Sequence, residues 1–197
     1  MRIISGTAGG IPIAVPRSLL RPTADRVREA VFSILGPERI EGAAVLDLFA
    51  GSGSYGLECL SRGARSAVFV EADRGSAAVI SQNLAKARLS GGTVAGASVE
   101  AWLKRAAGQF DLVFADPPYE KKHGDRDWNA FLLGSEILRS LLAPGALLVL
   151  ETFFKTTPRP EGDSPWRVLD ERRYGDSAVV FLTLSPADAP APDAAAV

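Results

Sequence analysis

Asp116, Pro117, Pro118 and Tyr119 follow directly on Phe110 to Ala115, apolar but for Asp111, and their types suit one kind of chemistry. Two successive prolines remove two backbone donors and hold the chain extended. Backbone carbonyls and the Asp116 carboxylate can then point at a single amine, which needs acceptors for both of its hydrogens. Tyr119 can stack on a planar base, as a base drawn out of its helix requires. The exocyclic amine of a base is a poor nucleophile, because its lone pair is delocalised into the ring. Two acceptors can hold it pyramidal, and Asp116 can stabilise the positive charge that grows on nitrogen during an in-line displacement. Taken alone, the same residues also read as a rigid turn with a solvated carboxylate and a packed ring.

A second group lies earlier, in Asp47-Leu-Phe-Ala-Gly-Ser-Gly-Ser-Tyr-Gly56. Gly51, Gly53 and Gly56 have the spacing of a dinucleotide-binding turn, and Glu71 stands 20 residues after Gly51. Such glycines let the backbone approach a ligand, and a carboxylate at the end of the next strand can accept both ribose hydroxyls. This much fits a nicotinamide enzyme equally well. Asp47 changes the balance, because an acid in an apolar strand end is costly without a partner. A cofactor carrying a sulfonium and an ammonium brings positive charge, whereas a pyrophosphate would be repelled. The alternative is that Asp47 fastens the glycine turn by accepting backbone N–H bonds. Phe49, on the same turn, joins the cofactor candidates. Ser98, after a third strand, joins them too, although it could equally cap the following helix.

These residues need elements to position them. Residues 2–15 read as a short arm or strand pair. A helix is predicted over 23–35, capped by Thr23 after Pro22, with Val27, Val31, Ile34 and Leu35 at helical spacing. Strands and helices then alternate: strand 43–49, helix 54–62, strand 67–70, helix 74–88, a poorer strand near 93–95, helix 98–106 and strand 111–115. One long helix is expected within 127–142, then a strand over 146–150 after the turn at Pro144-Gly145. Strands 166–170 and 178–184 are joined around Gly175 with no helix between them, so they must be antiparallel. The expected fold is α/β, an open sheet that is parallel except for one reversed strand near its edge.

At 197 residues the chain can bury a substantial core, and 47% hydrophobic with 23% charged residues excludes a disordered chain. The net charge of −1 gives no vote for nucleic acid, but its distribution does. Residues 1–40 hold Arg2, Arg17, Arg21, Arg26, Arg28 and Arg39 against Asp25, Glu29 and Glu38, so that segment is +3 and the rest −4. A basic arm on an acidic body suits a polyanionic partner. One cysteine, Cys59, and one histidine, His123, exclude disulfides and multi-ligand Cys or His metal sites. Cys59 reads as a packed hydrophobe, Trp102 and Trp128 read as packing, and Lys121, Lys122 and His123 lie in a solvated mixed-charge loop. The start, MRIISGTAGGIPIAVP, lacks the apolar core of a signal peptide. No run is long enough to span a bilayer, so a cytoplasmic protein with no membrane partner is expected. Residues 186–197, nearly all Ala, Pro and Asp, read as a disordered tail.

Several runs together carry a resemblance: Arg2-Ile-Ile-Ser-Gly6, Leu20-Arg-Pro-Thr-Ala-Asp-Arg-Val-Arg-Glu29 with Phe32, Asp47 to Gly56 with Leu57-Glu58, Ala115-Asp-Pro-Pro-Tyr119 and Tyr174-Gly-Asp176. The chain resembles the RsmD-type small-subunit ribosomal RNA guanine N2-methyltransferases over nearly all of its first 184 residues. The resemblance implies a class I, Rossmann-like methyltransferase sheet of seven strands, mostly parallel with one antiparallel strand, spanning 23–185 behind an N-terminal arm at 1–22. It implies S-adenosylmethionine as donor and a guanine of ribosomal RNA as acceptor. Naked RNA and an assembling small subunit both stay open as substrate, small size pointing to the particle, and a monomer is expected. By position Asp47, Gly51, Gly53 and Glu71 would bind cofactor, and Asp116 to Tyr119 would hold the amine. Thr23, Asp25 and Arg26 would lie over the mouth of the site. After Gly6 the family usually carries basic or aromatic residues where this chain has Thr-Ala-Gly-Gly, so Arg17 and Arg21 would carry more of the RNA contact. An adenine N6-methyltransferase acting on DNA or RNA, a nicotinamide oxidoreductase and a non-catalytic RNA-binding module are the rival expectations.

Overall fold

The computed structural model describes residues 1–16, 24–118 and 126–185. Thr23, Arg17, Arg21, Tyr119, the loop residues Lys121 to His123 and the 186–197 tail lie outside them. Seven strands form one sheet in the order β3-β2-β1-β4-β5-β7-β6, and the chain divides into two compact units, 1–105 and 106–197.

The first unit begins with the arm, pinned by a single antiparallel bridge between Arg2 and Pro12. Helix α1 (Ala24–Leu35) follows. It buries Val27, Val31, Phe32 and Leu35, whereas Ile34 is 40% exposed. The apolar stripe therefore runs through Phe32 rather than Ile34, a correction to the spacing read from sequence. Strand β1 (Ala44–Leu48) is buried at every position, as a parallel strand covered on both faces requires. It pairs in parallel with β2 (Ser66–Glu71), which pairs in parallel with β3 (Gly92–Gly96). Helices α2 (Ser54–Ser61), α3 (Arg74–Ala87) and α4 (Val99–Leu103) make the connections.

In the second unit β4 (Phe110–Ala115) pairs in parallel with β5 (Leu142–Phe153). The expected long helix is instead two, α5 (Trp128–Gly134) and α6 (Glu136–Ser140). Ser135 divides them: its backbone is extended and its hydroxyl accepts the N–H of Leu138 at 3.1 Å, so one residue ends α5 and caps α6. Strand β5 also starts earlier than expected. Phe110 aligns with Leu142 and Leu112 with Leu147, so Pro144-Gly145 bulges out of a continuing strand rather than preceding it. Strands β6 (Trp166–Tyr174) and β7 (Ser177–Leu184) form the expected hairpin around Gly175, and β7 is antiparallel to both β5 and β6. The one reversed strand thus lies next to the edge.

Candidate active site

In the first unit β1 ends in Asp47, only 3% exposed, and the chain then turns sharply. Phe49, Gly51 and Gly53 all have positive φ, at 58°, 57° and 78°. For Phe49 this is an unfavourable backbone, costing about 1–2 kcal/mol, and the turn is tied in place to hold it. Ala50 donates its N–H to the carbonyl of Val70 at 3.1 Å, and Gly53 donates to Ala50 at 2.7 Å. At Gly56 a Cβ would lie 2.3 Å from the ring of Phe69, so no side chain fits there.

Two carboxylates brace this turn. Asp47 Oδ2 accepts the N–H of Gly56 at 3.0 Å. Glu71, at the end of β2, accepts the N–H of Gly51 at 2.8 Å and that of Asp73 at 2.7 Å. The fastening role weighed for Asp47 is therefore present, and Glu71 has a comparable one. Burial pushes the Asp47 carboxyl up to about 7; the Gly56 N–H opposes this and the charge of Glu71 adds to it. A ligand bringing positive charge would relieve this concentration of acid, whereas a pyrophosphate would worsen it. This donor set fits a sulfonium cofactor on charge and on backbone access.

Ser98 caps α4, its Oγ accepting the N–H of Ala101 at 3.2 Å. Arg26 is exposed on the first turn of α1. Cys59 is fully buried, and burial pushes its thiol well above the ordinary range, as expected of a packed residue.

Sequence reasoning missed the polar residues that hold the arm. Glu58 is fully buried on α2 and accepts the N–H groups of Ile4 at 2.7 Å and Ser5 at 2.9 Å, together with the Arg62 guanidinium at 2.8 Å. Ser61 accepts the N–H of Ala8 at 3.0 Å. Asn83 on α3 exchanges two hydrogen bonds with Ala14, at 2.8 and 2.9 Å, and donates to the carbonyl of Ser52 at 3.1 Å. Arg28, 2% exposed, donates to the Arg2 carbonyl at 2.5 Å and to Asp25 at 3.1 Å. The available signal was an acid inside the apolar stretch Leu57 to Leu60, which demands partners.

In the second unit β4 delivers Asp116, half-buried, then Pro117, buried, and Pro118, exposed. Neither proline has an N–H, so acceptors dominate this strand end, as an amine site needs. Pro118 also lines a pocket of about 60 Å³ with Asn129 and Thr152. No helix among the described residues is long and apolar enough to cross a membrane.

The chain is 37% identical over 186 residues, 89% of each chain, to a Haemophilus influenzae protein named Ribosomal RNA small subunit methyltransferase D. It is 40% identical over 122 residues to the Escherichia coli protein of that name, and this match covers 61% of each chain. An Escherichia coli structure named "Putative methyltransferase yhhF" superposes with a TM-score of 0.79 at 33% identity, covering 93% of this chain and 97% of that one. SMU.776, named a "putative methyltransferase complexed with SAH", shares the fold with a TM-score of 0.66 at 16% identity, over 83% of this chain and 50% of that one. The RsmD-type resemblance of the motifs holds, and the chain, matched over residues 1–183, belongs to the family described as Conserved hypothetical protein 95.

Proposed function

We propose that this protein transfers a methyl group from S-adenosylmethionine to the exocyclic N2 amine of a guanine in small-subunit ribosomal RNA. The observation that carries this reading is the acceptor-rich end of β4, Asp116-Pro117-Pro118, in a chain whose β1 and β2 end in the braced carboxylates Asp47 and Glu71. When bound, the cofactor supplies an electrophilic methyl carbon on a sulfonium. Asp47 and Glu71 offer negative charge to the donor, and Gly51 and Gly53 let the backbone come close to it. Phe49, Ser98 and Thr23 complete its contacts.

Asp116 accepts one hydrogen of the target amine and offsets the positive charge that develops on nitrogen. Pro117 and Pro118 present carbonyls without competing donors, and Tyr119 stacks on the base. Arg17, Arg21 and Arg26 meet RNA phosphates, so binding weakens as salt rises. The acceptor is ribosomal RNA in an assembling small subunit, and the protein acts as a cytoplasmic monomer.

The test is methyl transfer from labelled S-adenosylmethionine to small-subunit ribosomal RNA and to partly assembled particles, followed by nucleoside mass spectrometry. N2-methylguanosine is the expected product. N6-methyladenosine, or no transfer to either substrate, overturns the reading.

A further inference from the structure

The pocket beside Pro118 is built from two segments of the second unit. One wall is the start of α5, with Arg126, Trp128 and Asn129; the other is the end of β5 and the turn after it, with Thr152 and Phe153. Asn129 bridges the walls, its Nδ2 donating to Thr152 Oγ1 at 2.7 Å and to the Thr156 carbonyl at 3.1 Å. The two walls are thus tied to each other through one side chain.

Among its lining residues a cation, Arg126, lies against aromatic rings. The Arg126 guanidinium lies over Trp128 at 5.3 Å and over Phe131 at 4.9 Å, and the two rings meet edge to face at 5.6 Å. Next along the chain from Phe153, the Phe154 ring carries the Arg173 guanidinium at 3.7 Å and Lys155 Nζ at 5.7 Å. Among the described lining residues the acid is Asp127, which caps α5 by accepting the N–H of Ala130 at 2.9 Å. Guanidinium planes already laid on aromatic faces, with cations beside them, match the way single-stranded RNA is held: bases stack on flat side chains and phosphates pair with cations.

We propose that the surface over this small pocket takes a nucleotide next to the target guanine, its base stacked on the Arg126–Trp128 face and its phosphates met by Arg126, Lys155 and Arg173. This rests on the RNA methyltransferase reading and gives the second unit its own share of substrate recognition. Arg126 is exposed, so its replacement leaves the core untouched.

The experiment compares the full chain with Arg126→Ala and Arg126→Lys. A fluorescein-labelled single-stranded RNA decamer is titrated with each protein, and methyl transfer to small-subunit ribosomal RNA is followed as KM and kcat. The expected result for Arg126→Ala is an RNA Kd and KM raised about tenfold, with the loss falling on KM rather than kcat and donor affinity kept. Arg126→Lys retains the charge but not the plane, and recovers only part of the loss. Trp128→Leu, checked for an unchanged melting temperature, weakens binding in the same sense. Unchanged RNA affinity in Arg126→Ala overturns the proposal. A loss confined to whole particles overturns it too, because the pocket then contacts a ribosomal protein. A wild-type protein that binds the decamer but methylates no ribosomal RNA sinks the functional reading while the binding comparison still decides the pocket.

Discussion

The Asp47 carboxylate and the Gly56 backbone N–H are joined at 3.0 Å across the turn between β1 and α2, inside the protein. One group therefore both shapes the glycine turn and places an acid beneath it. Burial is the main reason that acid holds its proton to about 7.

This relationship gives a prediction in pH. In the unfolded chain an aspartate ionises near pH 4, whereas in the folded protein Asp47 stays protonated to about 7. The stability it contributes is complete below about pH 4 and is lost as the pH climbs through 7. Asp47→Asn keeps an acceptor for Gly56 and removes the titration. Urea unfolding at about pH 5 and about pH 8 should show a smaller difference for the variant than for the wild type. If Asp47 meets the donor as proposed, donor affinity should rise through pH 7 in the wild type and stay flat in the variant.

Asp116→Ala should lower the methyl-transfer rate by about a thousandfold while leaving donor affinity nearly intact. Single-turnover kinetics and donor titration separate the two. Equal loss of both would mean that this carboxylate serves the cofactor rather than the amine.

Glu58→Ala should cost about 3 kcal/mol in equilibrium unfolding, because two backbone N–H groups and the Arg62 guanidinium lose their shared acceptor. Limited proteolysis should then cut first within residues 1–16. A variant as stable and as protected as the wild type would show that the arm is held by other contacts.

Gly56→Ala places a Cβ 2.3 Å from the Phe69 ring and should destabilise the fold by about 1–3 kcal/mol. The double variant with Phe69→Leu should recover part of that loss. Additive losses would mean the clash is relieved elsewhere.

Much of this architecture was legible in the sequence for physical reasons. β1 and β4 announced themselves as apolar runs, each broken by one acid (Asp47 and Asp111), because strands covered on both faces leave little room for polar residues. The glycine turn was legible because its backbone leaves few alternatives to glycine, although Phe49 shows that one non-glycine is forced into the same region. The two-helix break at Ser135 was not, since serine both interrupts and caps and periodicity cannot tell which. Nor was the displacement of Ile34 by Phe32, because neighbours on a helix compete for one stripe and only packing chooses. Asp47 and Glu71 were picked out for a ligand, with fastening of the turn weighed as the alternative for Asp47, and the structure shows that each accepts backbone N–H bonds. The buried roles of Glu58, Ser61 and Asn83 depend on a distant segment of chain, which local pattern does not reveal.

The anchoring of the arm also has a consequence for biosynthesis. Ile4 and Ala14 are made first, yet their partners Glu58 and Asn83 follow 54 and 69 residues later. At a ribosome speed of about 5–20 residues per second, that is a wait of several seconds. The arm must pass that interval without these two partners, held only by its own contacts such as the Arg2–Pro12 bridge, and the first unit can close over it only after α3 has emerged, which makes that closure a late, cooperative event.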